Sequence, residues 1–134
     1  MMLRPPFASD NQAQIYGLMM GGDAIAHESV SFGHDTFGRL AIANNPLWKD
    51  KVSYCLIFVE ADATTVTKTR AIRWVQVKTA SGSLTINETN VRAQGFPFGD
   101  GGVFEVKGLA NMQNLRLIGI ETGKTHTIRV CYFG

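Results

Sequence analysis

The sequence has few of the residues and patterns on which metal, membrane and secretory functions depend. Its 134 residues include two cysteines and three histidines, and no histidine stands at metal-ligand spacing from another ligand type. No apolar run approaches the length of a membrane span. Arg4-Pro5-Pro6 stands where a signal peptide needs an unbroken apolar segment. We therefore expect no metal site, no membrane partner and no secretion signal.

A catalytic signature is also missing. His27, Glu28 and Ser29 are residue types found in hydrolases, but no nucleophile elbow accompanies them, and strand alternation places Glu28 on the opposite face. Cys55 lies in the most apolar run of the chain, where a thiolate is disfavoured. We expect no enzymatic activity and no cofactor. We interpret Cys55 and Cys131 as reduced, buried thiols, while a disulfide between them would require that their strands face each other.

The charge is mild and dispersed. A net charge of +2 with a pI near 8.7, and no run of like charges, does not favour nucleic acid as a partner.

The composition and the turn signals favour an all-β protein. Hydrophobic residues make up 45% and charged residues 18% of the chain, with 14 glycines, as in globular proteins of one domain. About eight short apolar segments alternate with turn residues, at 24–30, 37–42, 52–60, 70–77, 84–86, 103–107, 115–120 and 125–133. This spacing predicts a jelly-roll-like β-sandwich in residues 23–134, preceded by an extended N-terminal arm in residues 1–22.

Residues 115–133 are the most regular stretch. Two segments rich in β-branched and aromatic residues flank Glu121-Thr122-Gly123-Lys124, a pattern that predicts a β-hairpin. In the second segment Ile128, Val130 and Tyr132 should point to one face. Because such a long apolar pair would aggregate at a sheet edge, we expect the hairpin to be central.

Two segments are apolar on both faces. Residues 52–59 alternate Tyr54, Leu56 and Phe58 with Cys55, Ile57 and Val59, and residues 115–120 are similar. A sandwich strand needs only one apolar face. The second face is therefore covered either by another subunit or by the arm or a long loop, and these alternatives stay open.

Candidate partner-contact residues are apolar side chains without a predicted place in a strand. They are Ile15, Tyr16, Leu18 and Met19 in the arm, Trp48 in a polar loop, and Phe96 and Phe98 in the glycine-rich segment 95–102. Aromatic side chains on loops frequently anchor interfaces. The alternative for each is burial against its own domain.

The end of the chain resembles a known family. Val103-Phe104-Glu105-Val106-Lys107-Gly108-Leu109-Ala110-Asn111, followed by segments 115–120 and 127–133, is similar to the C-terminal ending of small tailed-bacteriophage virion proteins. These are jelly-roll proteins that decorate or cement the capsid, or serve as head-associated adaptors and spikes. The resemblance covers about the last third of the chain, and its motifs are sheet-forming patterns.

The resemblance implies a structural role in the virion. We expect a capsid decoration or cement protein that assembles in the host cytoplasm, binds the major capsid protein at the capsid surface, and forms a homo-oligomer, with a trimer favoured. The alternative is a carbohydrate-binding β-sandwich or a receptor-binding head protein. Trp48 distinguishes the two, because a sugar site needs an exposed aromatic platform beside polar groups, which only Trp48 and the Phe96–Phe98 loop could supply.

Overall fold

Two antiparallel β-sheets make up most of the structure, a computed structural model that describes residues 23–60, 71–77, 85–98 and 102–134. Its elements are β1 (Ala24–Phe32), β2 (Tyr54–Glu60), β3 (Ile72–Gln76), α1 (Glu88–Gln94), β4 (Phe96–Phe98), β5 (Val103–Lys107), α2 (Leu109–Asn114), β6 (Leu115–Gly119) and β7 (His126–Phe133). One sheet has the order β1-β7-β2-β5, and the other has the order β4-β3-β6. The predicted all-β sandwich is confirmed. The jelly-roll connectivity and the domain boundary stay predictions, and the arm, residues 1–22, lies outside the described residues.

The alternation predicted for the central strands is confirmed. In β7, Ile128, Val130 and Tyr132 point into the main core, and in β2 Cys55, Ile57 and Val59 do the same. The two strands are neighbours, with Cys55 paired to Tyr132 and Ile57 to Val130. Every second residue of each strand is therefore buried between the two sheets, as a period of two requires.

The predicted terminal hairpin is wrong. β7 is central, between β1 and β2, but β6 belongs to the other sheet, where it pairs with β3. The segment 120–125 therefore crosses from one sheet to the other, with Gly123 at a φ of 75°. A glycine with positive φ between two apolar strands suits either a hairpin or a crossing of this kind, so the local pattern could not distinguish them.

The apolar outer face of β6 is covered by α1. Ile118, Val75 of β3 and Val91 of α1 form a buried cluster on the far side of the three-stranded sheet. Leu115 and Leu117 face the opposite way, into the main core. A helix from the same chain thus explains why residues 115–120 are apolar on both faces.

The outer face of the four-stranded sheet carries a second cluster. Leu56, Cys131 and Phe133 are buried there, with Tyr54 and Phe58 packed against them. The Tyr54 and Phe133 rings stack, with centroids 4.8 Å apart, and Phe133 is fully buried within a single chain. The two-sided character of β2 therefore does not by itself require a second subunit.

Three further predictions about local structure are wrong. Residues 37–42 form a single bridge, Gly38 to Leu117, followed by a turn. Residues 85 and 86 are not in a strand, and the segment after them is α1, whose N-cap Asn87 accepts a hydrogen bond from Asn90 N at 2.8 Å. Residues 108–114, which separate the predicted strand segments 103–107 and 115–120, contain α2. Asparagine favours both turns and helix N-caps, which is why α1 was mistaken for a turn.

The two cysteines are free, and both are buried. Cys55 pairs with Tyr132 and points into the main core, whereas Cys131 pairs with Leu56 and points to the outer face. Burial raises the pKa of Cys55 to about 12 and also raises the pKa of Cys131. The interpretation of both residues as buried thiols without a disulfide is confirmed, and a thiol with a raised pKa is a poor nucleophile.

Candidate functional site

Four of the predicted contact residues lie outside the described part of the chain. These are Ile15, Tyr16, Leu18 and Met19. Trp48 is half-buried and packs against the main core, and the Lys51 ammonium lies 5.4 Å from the centre of its ring. Its neighbour Leu47 is the more exposed side chain, at 76%. Trp48 is therefore not the open platform that a sugar site needs.

Phe96 and Phe98 have different environments. β4 carries both on the face toward the sandwich interior, paired with Trp74 and Ile72 of β3. Phe98 is 3% exposed and belongs to the main core, whereas Phe96 is 58% exposed. Phe96 is thus available to a partner. The prediction that Phe98 is also exposed to a partner is wrong, because its side chain packs in the main core against Phe104.

An aromatic cluster surrounds Phe96 at one side of the sandwich. The ring centroids of Trp74 and Phe96 are 4.8 Å apart, those of Trp74 and Phe104 are 5.5 Å apart, and those of Phe98 and Phe104 are 4.8 Å apart. We call Trp74, Phe96, Phe98 and Phe104 the aromatic edge. Three strands supply it, β3, β4 and β5, so the sheet register determines its geometry.

The aromatic edge occupies the open side of the sandwich. Among the described strands, β4 and β5 are the outermost of their sheets, and the Phe98–Phe104 contact joins them. On the opposite side, Gly119 N of β6 donates to Gly33 O, just after β1, at 2.9 Å. Main-chain hydrogen bonds close that side, while aromatic side chains fill the other, where Trp74 and Phe104 remain only half-buried.

The edge of β5 is protected by charge. Gly108 N donates to Ser53 O at 2.9 Å and Val59 N donates to Gly102 O at 3.2 Å, so the main-chain groups of Glu105 point away from β2. Glu105 and Lys107 form an exposed ion pair at 3.4 Å. The Asn111 side chain donates to Lys107 O at 2.9 Å. The charged pair and the bonded Lys107 carbonyl limit the pairing of a further strand with β5. Side-chain contacts at the aromatic edge are therefore the better candidate for partner binding.

A groove crosses the outer face of the four-stranded sheet. It encloses about 480 Å³ and is lined by His27, Ser29, Phe58, Arg129 and Cys131, with Glu28 and Val130. Arg129 Nη1 donates to Ser29 Oγ at 3.3 Å. As predicted, Glu28 lies on the opposite face from His27 and Ser29: its side chain accepts from Tyr132 OH. The groove offers hydrogen-bond donors without a hydrolase arrangement.

The histidines do not come together with other metal-binding side chains in the described residues. His34 Nδ1 lies 2.9 Å from Asp35 Oδ1, and His126 is buried against Phe32, with ring centroids 5.9 Å apart. No group of three His, Cys, Asp or Glu residues there is placed to hold a metal ion. Cys55 faces Tyr132, at the other end of β7 from His126.

Sequence reasoning missed Trp74 and Phe104 as parts of this surface. Alternation correctly places Trp74 on the core face, but it contains no information about how near the sheet edge a residue lies. The detectable signal was the presence of three phenylalanines, Phe96, Phe98 and Phe104, within nine positions of the chain.

Comparison of the chain with protein-family models, curated proteins and solved structures finds no match. In the described residues, no helix has the length and apolar character required to cross a membrane. The fold defines the protein as an all-β sandwich with an aromatic edge.

Proposed function

We propose that the protein is a non-catalytic structural protein of a tailed-bacteriophage virion, of the capsid decoration or cement type. It binds the major capsid protein at the capsid surface after synthesis in the host cytoplasm. The resemblance of the last third of the chain to small tailed-bacteriophage virion proteins suggests this role in the virion. The single observation that carries the proposal is the exposure of Phe96, at 58%, beside the half-buried Trp74.

An exposed aromatic at a sheet edge is suited to attachment. Phe96 already rests on Trp74, so its ring is positioned before a partner arrives and loses little rotamer freedom on binding. Burying its exposed part would contribute about 1–2 kcal/mol per copy. On a capsid that presents many identical sites, such modest contacts suffice if several copies bind as one oligomer.

Self-association is part of the proposal. A homo-oligomer, with a trimer favoured, would bury the aromatic edge against a second copy or align several edges toward the capsid. Light scattering at micromolar concentration measures this directly. A monomer at every concentration tested would remove the oligomer from the proposal.

The decisive experiment measures capsid occupancy. Capsids lacking the protein are mixed with purified protein and sedimented, and bound copies are counted by quantitative mass spectrometry. Phe96→Ser should fold normally and bind about tenfold more weakly, since the loss of about 1.4 kcal/mol changes an affinity by that factor.

Leu47→Ser is the matched control. Leu47 is also a large, exposed apolar side chain, at 76%, but it lies in the loop before Trp48 and outside the aromatic edge. The control should bind like the wild type. Equal occupancy for Phe96→Ser and the wild type would contradict attachment through this edge, and a failure of the wild type to bind would contradict the decoration role.

Carbohydrate binding is the alternative. Trp74 and Phe96 together make a larger aromatic surface than Trp48 does, and this observation favours a platform at the edge over one at the loop. Quenching of tryptophan fluorescence by an oligosaccharide, abolished in Phe96→Ser, would support it over the capsid role.

A further inference from the structure

Arg39 and Arg116 stand directly opposite each other on neighbouring segments. Gly38 N donates to Leu117 O at 2.7 Å, and Leu117 N donates to Gly38 O at 3.1 Å. In an antiparallel pair, the residue after Gly38 then faces the residue before Leu117, at the non-hydrogen-bonded position where side chains approach most closely. Because Leu117 points into the core, both arginines lie on the outer face of the three-stranded sheet.

A third arginine shares this face. Arg73 of β3 pairs with Ile118, two residues along β6 from Arg116, and donates from Nη1 to Gly95 O at 3.2 Å. Its Nε is buried without a hydrogen-bond partner. The outer face therefore concentrates positive charge, and we call Arg39, Arg73 and Arg116 the arginine face.

No described carboxylate forms an ion pair with Arg39, Arg73 or Arg116. The two ion pairs found among the described residues, His34–Asp35 and Lys107–Glu105, lie elsewhere. Arg116 Nη1 donates to Gln113 O and to Leu115 O, each at 2.9 Å, and these bonds fix the position of its guanidinium. Burial, and then the charge of Arg39, lower the pKa of Arg116. Like charges at directly opposite positions destabilise a sheet, and an anion bound between them would relieve that repulsion.

We infer that Arg39 and Arg116 form a binding site for a multivalent oxyanion of the phosphate class. Guanidinium groups present paired N–H donors that match the oxygens of such anions. Two opposing guanidiniums can each donate to one tetrahedral anion placed between them, and Arg73 adds its charge from the neighbouring strand. The site is separate from the aromatic edge, so this inference goes beyond the proposed function.

Inorganic phosphate is the probe, with purified protein alone. Thermal unfolding is compared in phosphate and in chloride at equal ionic strength. An anion that binds only the native state raises the melting temperature, by about 5 °C when it is present at about ten times its dissociation constant. Arg39→Ala should abolish this rise. Lys49→Ala, which removes the same charge at another exposed position, should retain it.

Arg39→Glu makes the test independent of simple loss of charge. It places a carboxylate opposite Arg116, so the variant should melt above the wild type in chloride and should no longer respond to phosphate. The inference is overturned if phosphate acts no more strongly than chloride on the wild type. It is equally overturned if Arg39→Ala keeps the full phosphate response.

Capsid binding then separates two sources of the anion. Reduced occupancy by Arg39→Ala in phosphate-free buffer assigns the anionic group to the capsid partner. Unchanged occupancy assigns it to a free solute. Both measurements leave Phe96 intact, so their failure is distinguishable from failure of the aromatic-edge proposal.

Discussion

Replacing Glu28 with alanine should destabilise the protein strongly, although the residue lies on β1, an edge strand of the four-stranded sheet. Its carboxylate accepts three hydrogen bonds, from Tyr132 OH, from Ala41 N at 3.1 Å and from Ile42 N at 2.8 Å. These bonds tie β1 to β7 and to the turn after Leu40. Tyr132 is fully buried, so its hydroxyl cannot turn to water when the carboxylate is removed.

The magnitude follows from these three partners. Leaving the proton of the buried Tyr132 hydroxyl without an acceptor costs about 1–3 kcal/mol, and losing the part-buried Ile42 amide bond costs about 1 kcal/mol, whereas the exposed Ala41 amide regains water. We expect Glu28→Ala to lower the free energy of unfolding by about 3 kcal/mol. Tyr132→Phe should cost about 1 kcal/mol, because Glu28 keeps both amide donors.

Urea denaturation of the two single variants and of the double variant checks the reasoning. The midpoint should fall with the slope unchanged. The double variant should be less destabilised than the sum by about 1–2 kcal/mol, because it no longer contains an unsatisfied hydroxyl. Glu105→Ala, an exposed position paired only with Lys107, is the control and should change stability by less than about 0.5 kcal/mol. A loss below about 1 kcal/mol in Glu28→Ala, or strict additivity, would refute the argument.

Three other measurements test the packing. Phe98→Ala should lower the free energy of unfolding, measured by chemical denaturation, by about 3 kcal/mol because it leaves a cavity in the core. Phe96→Ala should lower it by less than about 1 kcal/mol. Equal losses would contradict the assignment of Phe98 as buried and Phe96 as exposed. The contribution of Cys55 to stability should be constant below pH 9.0 and fall as the pH rises toward about 12, because burial raises the pKa of Cys55 over that interval and only the unfolded chain releases the proton. Cys55→Ala should make the alkaline slope shallower without removing it, because burial also raises the pKa of Cys131 and of Tyr132; an unaltered slope would refute the assignment. Gly119→Ala should lower the melting temperature more than Gly33→Ala does. The new Cβ at position 119 would lie 2.7 Å from His126 Cδ2, whereas the nearest atom to a Cβ at position 33 is 3.4 Å away. Equal shifts in melting temperature for the two variants would contradict this.

Strand faces were predictable because the rule behind them is local. Successive side chains point to opposite sides of a strand whatever its neighbours are. Residues of β2 and β7 therefore lie on the predicted faces, and the same rule correctly separated Glu28 from His27 and Ser29. The helices were missed because α1 has seven residues and α2 has six, too few for a period of 3.6 to stand out among turn residues.

The candidate site was predictable only in part. Exposure of Phe96 was anticipated from its glycine-rich surroundings, but the same argument applied equally to Phe98, which is buried. The difference arises because Phe98 packs against Phe104 in the main core, whereas Phe96 rests on the half-buried Trp74. Whether a residue lies at the open side of a sandwich depends on strand order, which alternation does not encode.

The sequence by itself determined the class of the fold, the faces of the central strands and the burial of Cys55, since each follows from local patterns of apolar residues. Only the tertiary structure decided which sheet each strand joins. It separated β6 from β7, placed α1 over the outer face of β6, and brought Trp74 and Phe104 to Phe96. It also set Arg39 opposite Arg116. The physical reason is that pairing between distant segments depends on how the whole set of apolar faces can be buried at once.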